Sequence, residues 1–286
     1  MLSKIKTKLG NFKETARRSK YAHYYKDYDI EDNIILYDSY FSRGMLCNPY
    51  AIFRELLSNS EFDNFTHVWV VDDRVGNEPV MEQFADHDNI YGIRRHSNDH
   101  LKYLATAHYI ISNVSLPFYY CKKPGQIFVN TWHGTPIKSL GYDIPGSAAT
   151  ISNVLRNMLS ADYMISANPF LTEVYLDKYK LRGLYNGSII EEGYPRNDRL
   201  LNCPKEEIKS LLLKYGIELE KDKQVILYAP TWKGADYNKP EVNPDDYYNF
   251  KRELEEYIDT DKYQILLKPH QVVYKELVNQ VCLAIP

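Results

Sequence analysis

Residues Gln126 to Asp143 read QIFVNTWHGTPIKSLGYD. Ile127, Phe128 and Val129 are apolar and partly β-branched, which predicts a buried strand, and Gly134 and Pro136 break it at once. His133 is thereby expected on a loop at a strand's C-terminal end. In open α/β sheets those loops form the ligand crevice, and a helix that follows offers free N–H groups. Thr135 suits a cap for such a helix, Pro136 its first turn, and Gly141 the end of a short segment. A Trp132–His133 pair buried for packing alone is the plain alternative.

Working outward, apolar runs alternate with helical patterns. NIILY (33 to 37), Val68 to Val71 within HVWVVDD, Tyr91 to Ile93 and Tyr109 to Ile111 read as strands, with helices expected over 50 to 57, 79 to 85 and 98 to 107. This alternation predicts a doubly wound, largely parallel sheet. Beyond the central stretch, 154 to 159 reads as a helix, 163 to 166 as a strand, and Asn168-Pro169 as the opening of another helix. GSIIEE (187 to 192) leads into Gly193-Tyr194-Pro195-Arg196-Asn197-Asp198. There a forced turn brings together a cation, an amide and a carboxylate, or else a helix cap that holds no ligand. A helix is expected from Cys203 to Tyr215, followed by a charged connector, and a domain boundary near residue 203. Val225 to Tyr228 then begins a second Rossmann-like unit that ends at Pro230-Thr231-Trp232-Lys233. A helix over 250 to 258 precedes a strand over 263 to 267, which ends at Lys268-Pro269-His270, and 281 to 285 reads as a third strand.

The 286 residues allow one large domain or two ordinary ones, and 44% hydrophobic residues suffice for real cores. A net charge of -3 argues against a general nucleic-acid binder, which needs a basic surface. Cys47, Cys121, Cys203 and Cys282 show no metal-ligand spacing and fit a reducing cytoplasm. No apolar run is long enough to cross a bilayer, and no secretory signal opens the chain. The many tyrosines are expected to be half-buried with wet hydroxyls. Arg94, Arg95 and His96 read as an exposed turn, and Asp72 and Asp73 as a loop or cap.

Residues 1 to 20 form a separate signal. Leu2, Ile5, Leu9, Phe12 and Ala16 recur at helical spacing among seven lysines and arginines. Such a basic amphipathic helix lies in a membrane interface, or else packs on its own domain or stays a loose basic tail.

Four stretches in register, WHGTPIKSLGYD, GYPRND, ILYAPTWK and LLKPH, resemble the CDP-glycerol glycerophosphotransferase family of teichoic acid primases and polymerases. The resemblance implies a GT-B-like α/β fold, with an acceptor-side Rossmann-like domain over 21 to 202 and a donor-binding one over 203 to 286 that is apparently incomplete. The family's Asp-Tyr-Ser-Ser donor motif is absent. It implies transfer of glycerol phosphate, or another alditol phosphate, from CDP-glycerol or CDP-ribitol to a lipid-linked saccharide or polymer acceptor in teichoic acid or capsule synthesis. CMP would be released on the inner face of the cell membrane. No cofactor is implied, and metal dependence stays open. His133 is the expected base, with His270 and Lys268 on the donor pyrophosphate. Arg196, Asn197, Asp198, Thr231 and Lys233 are expected in donor binding or in ordering the cleft. Two alternatives remain: another nucleotide-sugar enzyme of the same fold, a glycosyltransferase or epimerase, or a non-catalytic remnant that binds membrane or a partner.

Overall fold

The computed structural model describes residues 2–72, 81–146, 150–214, 216–231, 233–236, 239–241, 243–270 and 273–274. The chain divides into two compact units, Met1–Asn202 and Cys203–Pro286.

In the first unit, helix α1 (Leu2–Asp27) precedes β1 (Glu31–Asp38), α2 (Cys47–Leu57), β2 (Thr66–Val71), β3 (Ile90–Arg94), α3 (Asn98–Thr106) and β4 (Ala107–Ser112). Then come β5 (Ile127–Asn130), α4 (Ser152–Ser160), β6 (Tyr163–Ser166), α5 (Pro169–Glu173), β7 (Ser188–Glu191) and α6 (Pro195–Asn202). The seven strands form one sheet in the order β3-β2-β1-β4-β5-β6-β7, with every pairing parallel. The doubly wound reading therefore holds. Strand order reverses between β1 and β4, and the crevice at such a switch point, outside the strands' C-terminal ends, is where this architecture binds ligands.

Period-two alternation fills both faces of the sheet. Leu36, Val68, Val70, Ile110 and Phe128 pack into one core, and Ile35, Tyr37, Trp69, Val71 and Ile111 into the other. The tyrosines are deeper than expected. Tyr37, Tyr120 and Tyr175 are almost wholly buried, and the Tyr37 hydroxyl lies 2.9 Å from Nδ1 of His67 rather than in water. Helix α1 runs unbroken past residue 20. Tyr21 anchors it, donating to the Cys121 carbonyl at 2.7 Å, while Phe12 nearer its start is exposed.

His67 and His100 are fully buried. Burial pushes the pKa of His67 down to about 4 and that of His100 well below the ordinary range. Between about pH 6.5 and 4 the unfolded chain binds protons that the native state refuses, so stability falls as pH falls. For His67 alone about 3 kcal/mol is forfeited once pH reaches its folded pKa. Thermal melts should therefore show a lower Tm at about pH 5 than at about pH 7.5. An unchanged Tm would mean these rings are hydrated in solution.

Two sequence readings fail on tertiary detail. No helix follows β5, because residues 131 to 140 are irregular and lead into a single 3-10 turn at Gly141–Asp143, so Thr135 caps nothing. Arg95 is not part of a solvated turn, since its guanidinium pairs with the buried Asp38 carboxylate. Residues 79 and 80 of the expected helix lie outside the described residues, as does Asp73, and of its described part Met81 and Glu82 are helical while 83 to 85 form a turn.

The second unit has α7 (Lys205–Lys214), β8 (Gln224–Tyr228), β9 (Lys233–Asp236), β10 (Lys239–Glu241), α8 (Pro244–Tyr257) and β11 (Tyr263–Leu267). β8 and β11 pair in parallel with Tyr228 opposite Leu267, and β9–β10 is an antiparallel hairpin the sequence reading missed. Helix α8 lays Phe250 on Tyr228 with ring centroids 4.4 Å apart. The expected strand over 281 to 285 lies outside the described residues.

Candidate active site

Three strand ends at the switch point contribute to the site: Asp38 from β1, Asn113 just after β4, and the Thr131–Gly134 loop after β5. The loop turns sharply because Trp132 adopts a left-handed φ of 50°, a conformation that side chains avoid unless held. It is held at several points. The Trp132 N–H donates to the Asn130 side chain at 3.1 Å, and the indole N–H donates to the Gly134 carbonyl at 3.0 Å. Fully buried Asn48, near the start of α2, donates to the carbonyls of Thr131 and Trp132 at 3.1 and 3.2 Å. The rings of Tyr175 and Tyr179 meet Trp132 edge-on at 5.9 and 5.8 Å, so the indole is core while its neighbour faces outward.

His133 is accessible to solvent, stacked on Trp132 at 4.6 Å, with Tyr40 edge-on at 6.1 Å. Its Nδ1 lies 2.8 Å from the Asn113 carbonyl. A carbonyl only accepts, so Nδ1 carries the proton and Nε2 is left with a free lone pair. The protein packed around the ring lowers the imidazole pKa, the Asn113 bond raises it by less, and the nearby Arg196 charge adds the smallest effect, a further lowering. Near pH 7 the ring is neutral, as a proton acceptor must be.

Arg196 is the second expected residue brought here. Its Nη1 donates to the His133 carbonyl at 2.9 Å and to Cys47 Sγ at 3.0 Å, its backbone N–H reaches Asn48 Oδ1 at 3.3 Å, and its guanidinium sits 4.9 Å over the Tyr194 ring. Gly193, at φ 94°, makes the turn that admits Pro195 as the start of α6. Asn197 and Asp198 do not join the cluster, because they lie on the exposed side of that helix.

In the second unit, Thr231 follows β8 and Lys268 follows β11, and the parallel pairing puts both at the same end of the sheet. The Lys268 N–H extends that pairing to the Tyr228 carbonyl at 2.9 Å, its side chain is exposed, and His270 is half-buried. Thr231 and Lys233 line a cavity of about 410 Å³ with Tyr228, Asp246 and Phe250. Glu241, Asp246 and Glu253 outnumber the single Lys233 around it, and Lys233 leans toward Asp246 at 3.8 Å. Such a balance disfavours a pyrophosphate in that cavity, whereas Lys268 and His270 lie outside its lining. Trp232 lies outside the described residues.

Sequence reasoning missed Asn48, Asn113 and Asp38, and placed Arg95 in solvent. None stands in a recognisable motif. The one available signal was position, since Asp38 and Asn113 follow apolar strand runs directly.

The family model for CDP-glycerol:poly(glycerophosphate) glycerophosphotransferase matches residues 20–282. The teichoic acid poly(glycerol phosphate) polymerase of Bacillus spizizenii is 32% identical over 258 residues, covering 86% of this chain and 61% of that protein. The teichoic acid glycerol-phosphate transferase of Staphylococcus aureus is 27% identical over 84% of this chain and 60% of its own length. The chain thus spans about three fifths of these two curated relatives. Among solved structures, the wall teichoic acid polymerase TagF superposes with a TM-score of 0.68 at 24% identity, over 96% of this chain and 67% of that one. A TagF variant soaked with CDPG gives 0.73 at 22% identity, over 96% and 67%. The fold is therefore the GT-B-like fold of TagF.

Proposed function

Because the chain belongs to the CDP-glycerol:poly(glycerophosphate) glycerophosphotransferase family, we propose that it transfers glycerol phosphate from CDP-glycerol to a lipid-linked teichoic acid acceptor. One observation carries the assignment of roles: His133 stands at the sheet's ligand-binding edge with Nδ1 tied to the Asn113 carbonyl and Nε2 left as a base. The acceptor hydroxyl gives its proton to Nε2 as its oxygen attacks the β-phosphorus of the donor. The bond from that phosphorus to the bridging oxygen breaks, and CMP leaves with the electron pair. Arg196 sets the charge beside the base. Lys268 and His270 serve the donor pyrophosphate, where cationic and N–H groups offset the charge spreading over phosphoryl oxygens. Asn197 and Asp198, on the accessible side of their helix, serve as secondary donor contacts, and Thr231 and Lys233 contact the donor away from its pyrophosphate or order the cleft.

The reaction is assigned to the cytoplasmic face of the membrane, with α1 as the contact. No helix among the described residues is long and apolar enough to cross a bilayer. Arg18, Lys13 and exposed Phe12 on α1 suit an anionic lipid surface. CDP-ribitol and a capsule acceptor fit the same chemistry and are separated by substrate choice.

The test is CMP release from CDP-glycerol on anionic vesicles that carry a lipid-linked glycerol phosphate primer. Release that weakens with added salt is expected, because screening loosens the basic helix from the surface. Salt-independent release would remove the membrane assignment, and release of a nucleoside diphosphate, or of nothing, would remove the transfer itself.

A further inference from the structure

The segment beside His133 that follows β1 is built in an unfavourable conformation. Tyr40, Phe41, Ser42 and Cys47 have φ of 48°, 59°, 67° and 62°, and none is glycine. Left-handed backbone of this kind persists only where the surroundings over-determine it, and functional loops are where it collects.

The surroundings here are specific. Asp38, 1% exposed, accepts the Ser42 N–H at 2.8 Å with one carboxylate oxygen and pairs with Arg95 through the other. Arg95 in turn lies 5.2 Å over the ring of Phe41. The Tyr40 N–H donates to the side chain of buried Asn113 at 2.9 Å, and the Ser39 hydroxyl closes the loop on the Leu46 carbonyl at 2.9 Å. What the loop presents is the edge of Tyr40 against His133. The Tyr40 hydroxyl rests on Cys47 Sγ at 3.4 Å, and that sulfur is the atom Arg196 also reaches. A buried carboxylate is costly to keep and is tolerated when paired and hydrogen-bonded, so its place under this turn calls for a reason beyond packing.

We propose that Asp38 and Arg95 are positioning residues: their buried pair locks the left-handed Tyr40–Ser42 turn, which walls the His133 imidazole and, through Tyr40 and Cys47, sets Arg196 beside it. The role deepens the reading of His133 as the base and rests on it for its effect on turnover, but the geometry is testable without any turnover.

The experiment compares the full chain with Asp38→Asn, which keeps the shape and removes the charge, and with Phe41→Gly, which accepts φ of 59° without strain and so folds even if the first variant does not. Two readouts are taken: the NMR titration of the His133 ring, and kcat with donor KM for CMP release. In both variants a loosened wall admits water, so the His133 titration should move up toward the ordinary 6.5. Turnover should fall at least about tenfold while donor KM stays within about twofold, since the wall aligns the base rather than binding the donor. Ile110→Val, a core substitution in the same sheet, should lower Tm and move neither readout. A His133 titration identical to the parent's in a folded variant would overturn the proposal. A shifted titration in a chain that releases no CMP would uphold the positioning role and overturn the transfer reading instead.

Discussion

Replacing His133 by alanine is expected to cut CMP release from CDP-glycerol by at least about 100-fold, the lower end of what a positioned general base contributes. The size follows from the local geometry. Nδ1 is committed to the Asn113 carbonyl, so Nε2 is the ring's proton acceptor. The fold should survive, because the ring is solvent-accessible and the buried member of the pair is Trp132. Donor affinity should change little if the donor is held by the second unit. His270→Ala should instead weaken both donor binding and turnover, since a pyrophosphate contact is made in ground and transition states alike. In the parent, the acid limb of kcat/KM should lie below the ordinary histidine value of 6.5, because the packed loop and Arg196 favour the neutral ring. Near-normal turnover in His133→Ala would return the residue to packing against Trp132, whatever the pH profile.

Gly141→Ala should be the most damaging single-methyl change in this region, destabilising the first unit by about 3 kcal/mol or more. A Cβ there would stand 2.2 Å from the Lys178 carbonyl oxygen and 2.7 Å from its carbon, both backbone atoms that cannot rotate away, and φ is already 61°. Relief requires separating the Gly141–Asp143 turn from residues 174 to 179. That contact also carries the Lys178–Asp143 ion pair at 2.8 Å and, through Tyr175 and Tyr179, the cage around Trp132. Loss of stability should therefore come with loss of activity. Gly146→Ala is the comparison, because it has a similar φ of 72° but nothing within 4 Å of the added methyl. Its cost should be confined to the backbone term of roughly 1 to 2 kcal/mol. Equal Tm losses in the two variants would show that the close approach at Gly141 relaxes freely.

Those two glycines show how unevenly the chain's design is written into its sequence. Both are glycines at turns with a left-handed φ, and the backbone of Lys178, 37 positions away, separates a demanding one from a permissive one. Six of the seven strands of the first unit's sheet were legible, β7 being the exception. Runs such as NIILY and HVWVV have one strand reading, because their apolar length and branching fit a strand buried on both faces. The position of His133 followed from the same logic, since a strand that stops at Gly-Thr-Pro must leave the preceding residue at its C-terminal end. Family membership also lay in the motifs. What failed was local chemistry overridden by distant groups. Thr135 and Pro136 look like a helix start, yet residues 131 to 140 are irregular, and the backbone leading into them is held by Asn48 and Arg196 through the carbonyls of Thr131, Trp132 and His133. Arg95 looks like solvent-facing charge until Asp38, 57 residues away, is placed under it by the parallel pairing of β1 with β2 and β2 with β3. By itself the sequence determined the apolar strands, their alternation with helices, the family and the loop that carries the base. Tertiary structure alone decided that base's tautomer, its wall and its charged neighbour, because each is set by hydrogen bonds between residues 20 to 149 positions apart, a separation that local sequence pattern cannot encode.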